Sequence, residues 1–152
     1  MPNLMTIYLR EQIRLLKPII TKSGIAASRA MQDALGAKAV SGKVLFDDAN
    51  GCPVPACFAA PVALDPEDSR VVLYLHGGGY VAGSLSYARG FAGVLASQTN
   101  VRVLCAAYRL APESPYPAAV EDAFASYSYL LEQGYAPEHI SLIGESLSLI
   151  HI

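Results

Sequence analysis

The sequence predicts an α/β domain in which helices flank a mostly parallel sheet. Apolar segments with strand character alternate along the chain with helix-length segments, as they do in βαβ units. Of the 152 residues, 53% are hydrophobic and 16% are charged, a balance that suits a domain with a large core rather than a disordered chain. Three consecutive glycines also follow one strand-like segment, at the position where open α/β sheets place their ligand sites.

Two helices are predicted at the N-terminus. Over residues 4–17, apolar residues recur at helical spacing, charged residues occupy the other face, and Pro18 should end the helix. A second helix is predicted over about 24–35, with Gly36 as its C-cap. The apolar face of this second helix is expected to consist of Ala27, Ala30, Met31 and Ala34.

The core of the domain is predicted to begin at Ala39. Two β segments, "AVSGKVLF" and "CPVPACFAAPV", are separated by the turn residues "DDANG", and the second contains prolines suited to the edge of a sheet. The segment "RVVLYLH" is continuously apolar, which is typical of a strand buried on both faces. The alternation is completed by a helix over about 86–98, the strand "VRVLCAAY", a helix over about 117–132 that closes at Gly134, and the strand "HISLIG".

Charge and cysteine usage exclude several classes of partner. The net charge of −2 provides no electrostatic footprint for nucleic acid or an anionic membrane. The N-terminus does not read as a signal peptide, because charged residues interrupt any apolar stretch there, and no apolar run is long enough to span a bilayer. We therefore expect a soluble, cytoplasmic protein without stable membrane insertion. Cys52, Cys57 and Cys105 lack metal-ligand spacing, and Cys105, in the middle of a strand, is expected to be buried and inert.

The glycine run in "LYLHGGGYVAG" is consistent with two kinds of ligand site. Gly77, Gly79 and Ala82 satisfy the dinucleotide-binding pattern after a strand, but no acidic residue for a ribose hydroxyl occurs between Gly77 and Pro112. The other interpretation is an oxyanion hole, in which backbone N–H groups face the negative oxygen of a tetrahedral intermediate. His-Gly-Gly-Gly after a core strand is the form that this hole takes in lipases and esterases.

Three motifs in a fixed order carry a family resemblance. They are His76-Gly77-Gly78-Gly79-Tyr80, then "YRLAPESPYPAAVED" at 108–122, then Gly144-Glu145-Ser146 after "YAPEHISLI". With these motifs the sequence resembles the hormone-sensitive-lipase-like carboxylesterases, a branch of the α/β-hydrolase superfamily. The resemblance implies that residues 39–146 are the first part of a hydrolase core and that residues 1–38 are two helices of a cap over the active site.

The resemblance also implies a reaction and the residues that carry it. Ser146 would be the nucleophile in the hydrolysis of short or medium acyl esters, or of lactones, without a metal or cofactor. The backbone N–H groups of Gly78 and Gly79 would form the oxyanion hole, with a third N–H from Leu147. Tyr80 would line the acyl or alcohol pocket.

Other motif residues would support this site. His76 and Gly77 would hold the glycine loop, and Glu145 stands where an aspartate is more common in the family. Arg109, Glu113 and Asp122 would hold the loop after the fourth strand. For Glu113, a surface charge is nearly as good an interpretation.

The residues after Ser146 depart from the family pattern. The elbow pattern G-x-S-x-G requires a glycine where this sequence has Ser148, and the acid and histidine of a triad should follow the nucleophile. The remaining residues, "LSLIHI", contain no acid; His151 is too close in sequence, and His139 precedes the last strand at the opposite end of the sheet. We therefore expect the second half of the fold to be missing and the chain to be inactive by itself.

The same departure suggests that residues 147–152 are a non-native tail, since "LSLIHI" resembles the translation of a transposon-end adapter used in preparing DNA libraries. Two alternatives remain for the chain as a whole. One is a short, non-catalytic binding module of the hydrolase type, and the other is a dinucleotide-binding domain.

Overall fold

The computed structural model describes residues 24–38 and 43–146, so the predicted helix over 4–17 and the residues 147–152 lie outside the described part. The elements in chain order are α1 (Ile25–Lys38), β1 (Val44–Asp48), β2 (Ala56–Pro61), β3 (Val71–Leu75), α2 (Leu85–Thr99), β4 (Arg102–Ala106), α3 (Ala118–Glu132), a 3-10 turn (Pro137–His139) and β5 (Ile140–Gly144). Each predicted core element within this part is present, and the two Asp residues that end β1 had been predicted as turn.

The strands of the described residues form one sheet in the order β1-β2-β4-β3-β5. β3 is parallel to both of its neighbours, whereas β1 pairs with β2, and β2 with β4, in antiparallel fashion. The predicted α/β class is confirmed, and the sheet is mixed because an N-terminal hairpin adds to the parallel strands.

The prolines of the segment that forms β2 predict an edge strand, and this prediction is wrong. β2 lies between β1 and β4. Pro53 and Pro55 precede the strand, and Pro61 is its last residue, beyond the four residues that pair with β4. The missing N–H groups therefore interrupt no interior hydrogen bonds of the β2–β4 pair.

The core lies on both faces of β3, whose five residues are all buried. Leu73 and Leu75 face α3, in a cluster that includes Leu104, Tyr129 and Leu130. On the opposite face, Val72 and Tyr74 belong to a cluster with Ala88, Ala92 and Ala96 of α2. This two-sided burial explains why the strand is continuously apolar in sequence.

The docking of α1 differs from the prediction in two ways. Gly36 is not a C-cap but lies inside the helix, where an added Cβ would be 2.4 Å from the Tyr87 Cα of α2. Gly90 faces it, since its Cβ would be 2.4 Å from the Gly36 carbonyl oxygen, so the glycines allow the two helix backbones to touch. The predicted apolar face is exposed rather than buried; its residues are Ala27, Ala30, Met31 and Ala34.

Candidate active site

The three motifs lie side by side at one end of the sheet. β3 pairs with β4 on one side and with β5 on the other, and its last residue, Leu75, is level with Ala106 and with Gly144. Because the three strands are parallel, the loops that follow them leave the sheet at the same end. The glycine loop, the loop after β4 and the residues after β5 are therefore neighbours.

Ser146 is the second residue after β5 and has a left-handed backbone, with φ at 57°. Residues other than glycine rarely adopt this conformation, because the Cβ comes too close to a neighbouring carbonyl oxygen. A strained serine on the sharp turn after a core strand is the geometry of a nucleophile elbow, and Ser146 is exposed. Leu147, the predicted third oxyanion donor, lies outside the described residues.

The glycine loop holds three successive residues at positive φ, namely Gly78 at 131°, Gly79 at 64° and Tyr80 at 61°. The Gly78 carbonyl accepts hydrogen bonds from the N–H groups of Val81 and Ala82, and a Cβ on Gly78 would lie 2.0 Å from the Ala82 oxygen. Only glycine fits there. Within the described residues, no hydrogen-bond acceptor lies against the N–H of Gly78 or Gly79, so both groups could donate to a ligand.

His76 is fully buried beneath this loop. Its Nδ1 lies 2.9 Å from the Gly77 carbonyl oxygen, and its ring stacks on Tyr108 with centroids 4.2 Å apart. The Tyr108 hydroxyl donates to the His76 carbonyl oxygen at 2.5 Å. Burial lowers the pKa of His76, which favours a neutral ring. A buried ring bonded to the loop backbone can support the loop, in agreement with the predicted role.

Glu145 joins the elbow to the glycine loop. Its carboxylate accepts hydrogen bonds from the Tyr74 hydroxyl at 2.7 Å, the Tyr87 hydroxyl at 2.8 Å and the Gly77 N–H at 3.3 Å. Burial by itself would raise the pKa of Glu145, but the three hydrogen bonds outweigh it, and the pKa lies below its ordinary value. The residue before Ser146 therefore stays charged and holds the two loops in register.

The two tyrosines that bind Glu145 were not identified from the sequence. A signal was available for Tyr74, because a tyrosine inside a fully buried strand needs a partner for its hydroxyl. Burial and then the neighbouring carboxylate raise the pKa of Tyr74 well above its usual range, and the same two causes raise that of Tyr87. Both hydroxyls therefore remain protonated donors.

Arg29 of α1 connects that helix to two of the loops. Its Nε donates to the Val81 carbonyl oxygen at 2.8 Å, and its two Nη atoms each lie 2.8 Å from an oxygen of Glu113. A weaker bond of 3.2 Å reaches the carbonyl oxygen of Ala111, whose own N–H donates to Tyr80. Glu113 thus pairs with the helix rather than with solvent alone. Nothing in the sequence pattern indicated Arg29, because its partners are more than fifty residues away.

Arg109 and Asp122 hold the loop after β4, as predicted. The Arg109 guanidinium binds both oxygens of Asp122, with the shortest contact 2.7 Å, and the Arg109 backbone N–H donates to the same carboxylate. Glu121 adds a contact of 3.0 Å. These hydrogen bonds, Asp122 first, raise the pKa of Arg109. The buried carboxylate of Asp122 fixes where the loop leaves the strand.

A cavity of about 400 Å³ lies beside the glycine loop. Tyr80 lines it, which supports the predicted pocket role of this residue. The remaining lining comes from the loop after β4 and the start of α3, and includes Ala111, Ser114, Tyr116 and Ala119. The lining is mostly apolar, a surface suited to the hydrocarbon part of a small molecule.

Other groups lie away from this site. His139 is in the turn before β5, at the opposite end of the strand from Ser146, and its Nδ1 lies 3.0 Å from the Ser69 hydroxyl.

Among residues 24–38 and 43–146, the structure shows no cluster of three or more His, Cys, Asp or Glu that could hold a metal ion. No helix in the same part is both long and apolar enough to cross a membrane.

Comparison with known proteins gives a family match over the segment that contains the three motifs of the candidate site. A family model described as the α/β-hydrolase fold matches residues 72–147. An acetyl-hydrolase of Streptomyces hygroscopicus is 47% identical over 90 residues, which are 59% of this chain and 30% of that protein. An ethyl acetate hydrolase of Pseudomonas putida is 35% identical over 103 residues, or 64% of this chain and 32% of that protein.

Solved structures agree with the sequence relatives. An esterase of the bacterial hormone-sensitive lipase family superposes with a TM-score of 0.74 at 35% identity, covering 84% of this chain and 42% of that one. A hormone-sensitive lipase from a metagenome library gives 0.77 at 31% identity, covering 91% and 48%. The chain thus spans less than half of each of these four proteins. None of the four is named as a nucleotide-binding protein, and the dinucleotide-binding alternative gains no support from them.

Proposed function

This chain belongs to the α/β-hydrolase fold family, and from that premise we propose that the whole natural protein is a serine carboxylesterase with Ser146 as its nucleophile. The observation that carries the proposal is the left-handed backbone of Ser146, two residues after β5 and beside the glycine loop that follows β3. The names of the relatives, which are esterases and acetyl-hydrolases, support the same reaction class.

The proposed reaction has two steps. A general base takes the proton of the Ser146 hydroxyl as its Oγ attacks the ester carbonyl carbon, the bond to the alcohol breaks, and the alcohol leaves with that proton. Water then cleaves the acyl-serine and releases the acid. In each step the carbonyl oxygen becomes negative, and the N–H groups of Gly78 and Gly79, with that of Leu147, would stabilise it. The free donors in the rigid glycine loop support this assignment.

The general base is expected to come from outside the described residues. His76 is buried and bonded to the loop, and His139 lies at the other end of the sheet, so neither is positioned to take a proton from Ser146. His151 is too close in sequence to Ser146 to serve, and we therefore propose that the 152-residue chain has no turnover by itself. Without a base, a serine hydrolase keeps only the acceleration that binding and the oxyanion hole supply.

The pocket that Tyr80 lines supports a proposal for the substrate class. The cavity beside Tyr80, about 400 Å³ and mostly apolar, supports an ester with a short or medium acyl or alcohol group. Lactones fit the same chemistry, since ring opening by Ser146 needs the same oxyanion contacts.

The test uses the natural gene, amplified from source DNA so that the sequence after Ser146 is known. The full product should hydrolyse p-nitrophenyl acetate and butyrate, and Ser146→Ala should reduce kcat/KM by at least about a thousandfold. Ser114→Ala is the matched control, because it removes a serine from the cavity wall and should change kcat/KM by less than about tenfold.

Two results would count against the proposal. A full product that is folded but hydrolyses no ester of any chain length would favour the non-catalytic binding module. Hydrolysis that survives Ser146→Ala would show that a different residue is the nucleophile.

A further inference from the structure

Cys57 and Cys105 lie directly opposite each other on β2 and β4. Side chains at opposite positions of an antiparallel pair point to the same face of the sheet. Here that face is the one covered by α2, whose nearby buried residues, Ala88, Ala92 and Ala96, are all small. The two thiols therefore share a compact site beneath α2, level with Tyr74 of β3, and the proposed reaction uses neither of them.

The two sulfur atoms are in contact, with the Sγ atoms 3.3 Å apart, and both cysteines are fully buried. A disulfide has a sulfur–sulfur bond of about 2.04 Å, so the thiols must approach by roughly 1.3 Å, which small side-chain rotations can supply. Cys52, the third cysteine, does not belong to this cluster and packs on the other face of the sheet.

The surroundings shift the pKa values of the two thiols in opposite directions. The pKa of Cys57 is lowered, chiefly because the contact with Cys105 favours the Cys57 thiolate. Burial acts in the opposite direction, and the Arg89 guanidinium lowers the pKa further. The shared contact and burial raise the pKa of Cys105. The Arg89 Nη2 lies 4.0 Å from the Asp48 carboxylate, but its Nε is buried and has no hydrogen-bond partner among the described residues, so the Nε–H is available to a Cys57 thiolate.

We propose that Cys57 and Cys105 form a two-electron redox site that a peroxide converts into a disulfide between β2 and β4. The Cys57 thiolate attacks one peroxide oxygen, the O–O bond breaks, and, once protonated, the products are water and a Cys57 sulfenic acid. The Cys105 sulfur then attacks the Cys57 sulfur and releases a second water. Overall, two thiols and one hydrogen peroxide give one disulfide and two waters.

The disulfide would close a loop between residues 48 positions apart and tie the N-terminal hairpin to the parallel strands. Such a crosslink restricts the unfolded chain, so the oxidised protein should unfold at a higher temperature. Because both thiols are buried, peroxide should reach them only when the outer hairpin opens locally. The oxidation rate should therefore level off at high peroxide concentration.

The test treats the folded 152-residue chain with hydrogen peroxide and then alkylates the remaining thiols in denaturant. The alkylatable thiols should fall from three to one, the intact mass should decrease by two hydrogens, and a peptide linking Cys57 to Cys105 should be found. Dithiothreitol should restore all three thiols. The thermal midpoint should rise by several degrees on oxidation and return on reduction.

Variants separate this site from general thiol oxidation. Cys52→Ser should leave the disulfide intact, whereas Cys57→Ser and Cys105→Ser should each abolish it. At low peroxide concentration, where the rate still rises with peroxide, Arg89→Gln should slow the reaction severalfold. Arg70→Gln, which removes a surface arginine paired with Asp68, should not.

Three results would overturn the proposal. The first is a folded wild-type chain in which Cys57 and Cys105 both stay alkylatable. The second is a disulfide that involves Cys52 or a second chain. The third is an equal oxidation rate for wild type and Arg89→Gln. The wild-type measurements need no substitution, so a variant that fails to fold cannot hide a negative result.

Discussion

The loops at the carboxyl ends of β3 and β4 and the outer face formed by α3 and β5 are built on the same sheet, but they are stabilised differently. Polar contacts hold the loops: Glu145 binds two tyrosines and Gly77, and Arg29 binds Val81 and Glu113. Each of these contacts joins segments that are distant in sequence.

The outer face has apolar side chains that are open to solvent. Phe124 of α3 is 70% exposed and Leu142 of β5 is 42% exposed. A groove of about 290 Å³ runs between them, lined by Leu73, Leu75, Val120, Ala123, Phe124, Tyr127 and Leu142. Contiguous apolar surface of this kind is characteristic of an interface. Contacts among the described residues thus hold the loops of the candidate site, whereas the outer face leaves apolar side chains of α3 and β5 exposed.

The largest expected effect is in the loops. A Cβ at Gly83 would lie 2.2 Å from the buried His76 ring, so Gly83→Ala should lower the free energy of unfolding by more than about 4 kcal/mol. Gly51→Ala is the matched control, because Gly51 also has a positive φ but no atom within 4 Å of its Cβ, and should cost only about 1–2 kcal/mol. Urea denaturation measures both. Equal losses would mean that backbone conformation, not contact with His76, determines the cost.

The next effect concerns the outer face. We expect the isolated chain to associate through β5, whose outer edge has no strand partner among the described residues. Leu142→Lys should shift the population toward monomer in sedimentation experiments, while Leu45→Lys on the opposite edge strand should do so much less. A monodisperse wild-type monomer with a sharp thermal transition would contradict this prediction.

A smaller effect should follow from Arg29. Arg29→Gln removes the bidentate contact with Glu113 and weakens the contact with Val81, so amide hydrogens in the segment 78–82 should exchange several times faster. Mass spectrometry of peptic peptides measures this exchange. Arg70→Gln, which breaks a bidentate pair with Asp68 elsewhere on the surface, should leave that segment unchanged. Faster exchange in both variants would indicate general loosening of the fold.

The smallest effect is a pH dependence of the same contact. The hydrogen bonds from Arg29 lower the pKa of Glu113 from 4.5 to about 2. Because the folded-state pKa is below the unfolded one, the pair stabilises the fold above about pH 4.5 and loses this contribution as the pH falls through about 2. The difference in thermal midpoint between wild type and Glu113→Gln should therefore shrink over that interval. A difference that stays constant would show that the charge of Glu113 is not involved.

Much of the fold was predictable because its signals are local. The apolar run of β3, the lengths of α2 and α3 and the glycines of the loop each follow from neighbouring residues. The elbow serine was also predictable, since the residues around it form a recognisable motif. The roles of Ser146 and of the oxyanion glycines stay predictions until the enzyme is assayed.

Other features could not be read from local pattern. Gly36 has the sequence position of a helix cap, but it contacts Gly90 where α1 crosses α2, and the helix continues to Lys38. The prolines around β2 suggested an edge, yet they fall outside its pairing with β4. In α1 the contacts that dock the helix come from Arg29 and the Gly36 backbone, whereas Ala27, Ala30 and Ala34 are exposed.

The α/β class, the order of the elements and the loops that follow the parallel strands could be derived from the amino-acid sequence. They depend on periodicity and turn chemistry, which act over a few residues, and on the common direction of parallel strands. The structure was needed to see that Tyr74 and Tyr87 hold Glu145, that Arg29 ties α1 to the loops, and that Cys57 faces Cys105. Those pairings join residues 48 to 84 positions apart, and such contacts exist only once the chain has packed.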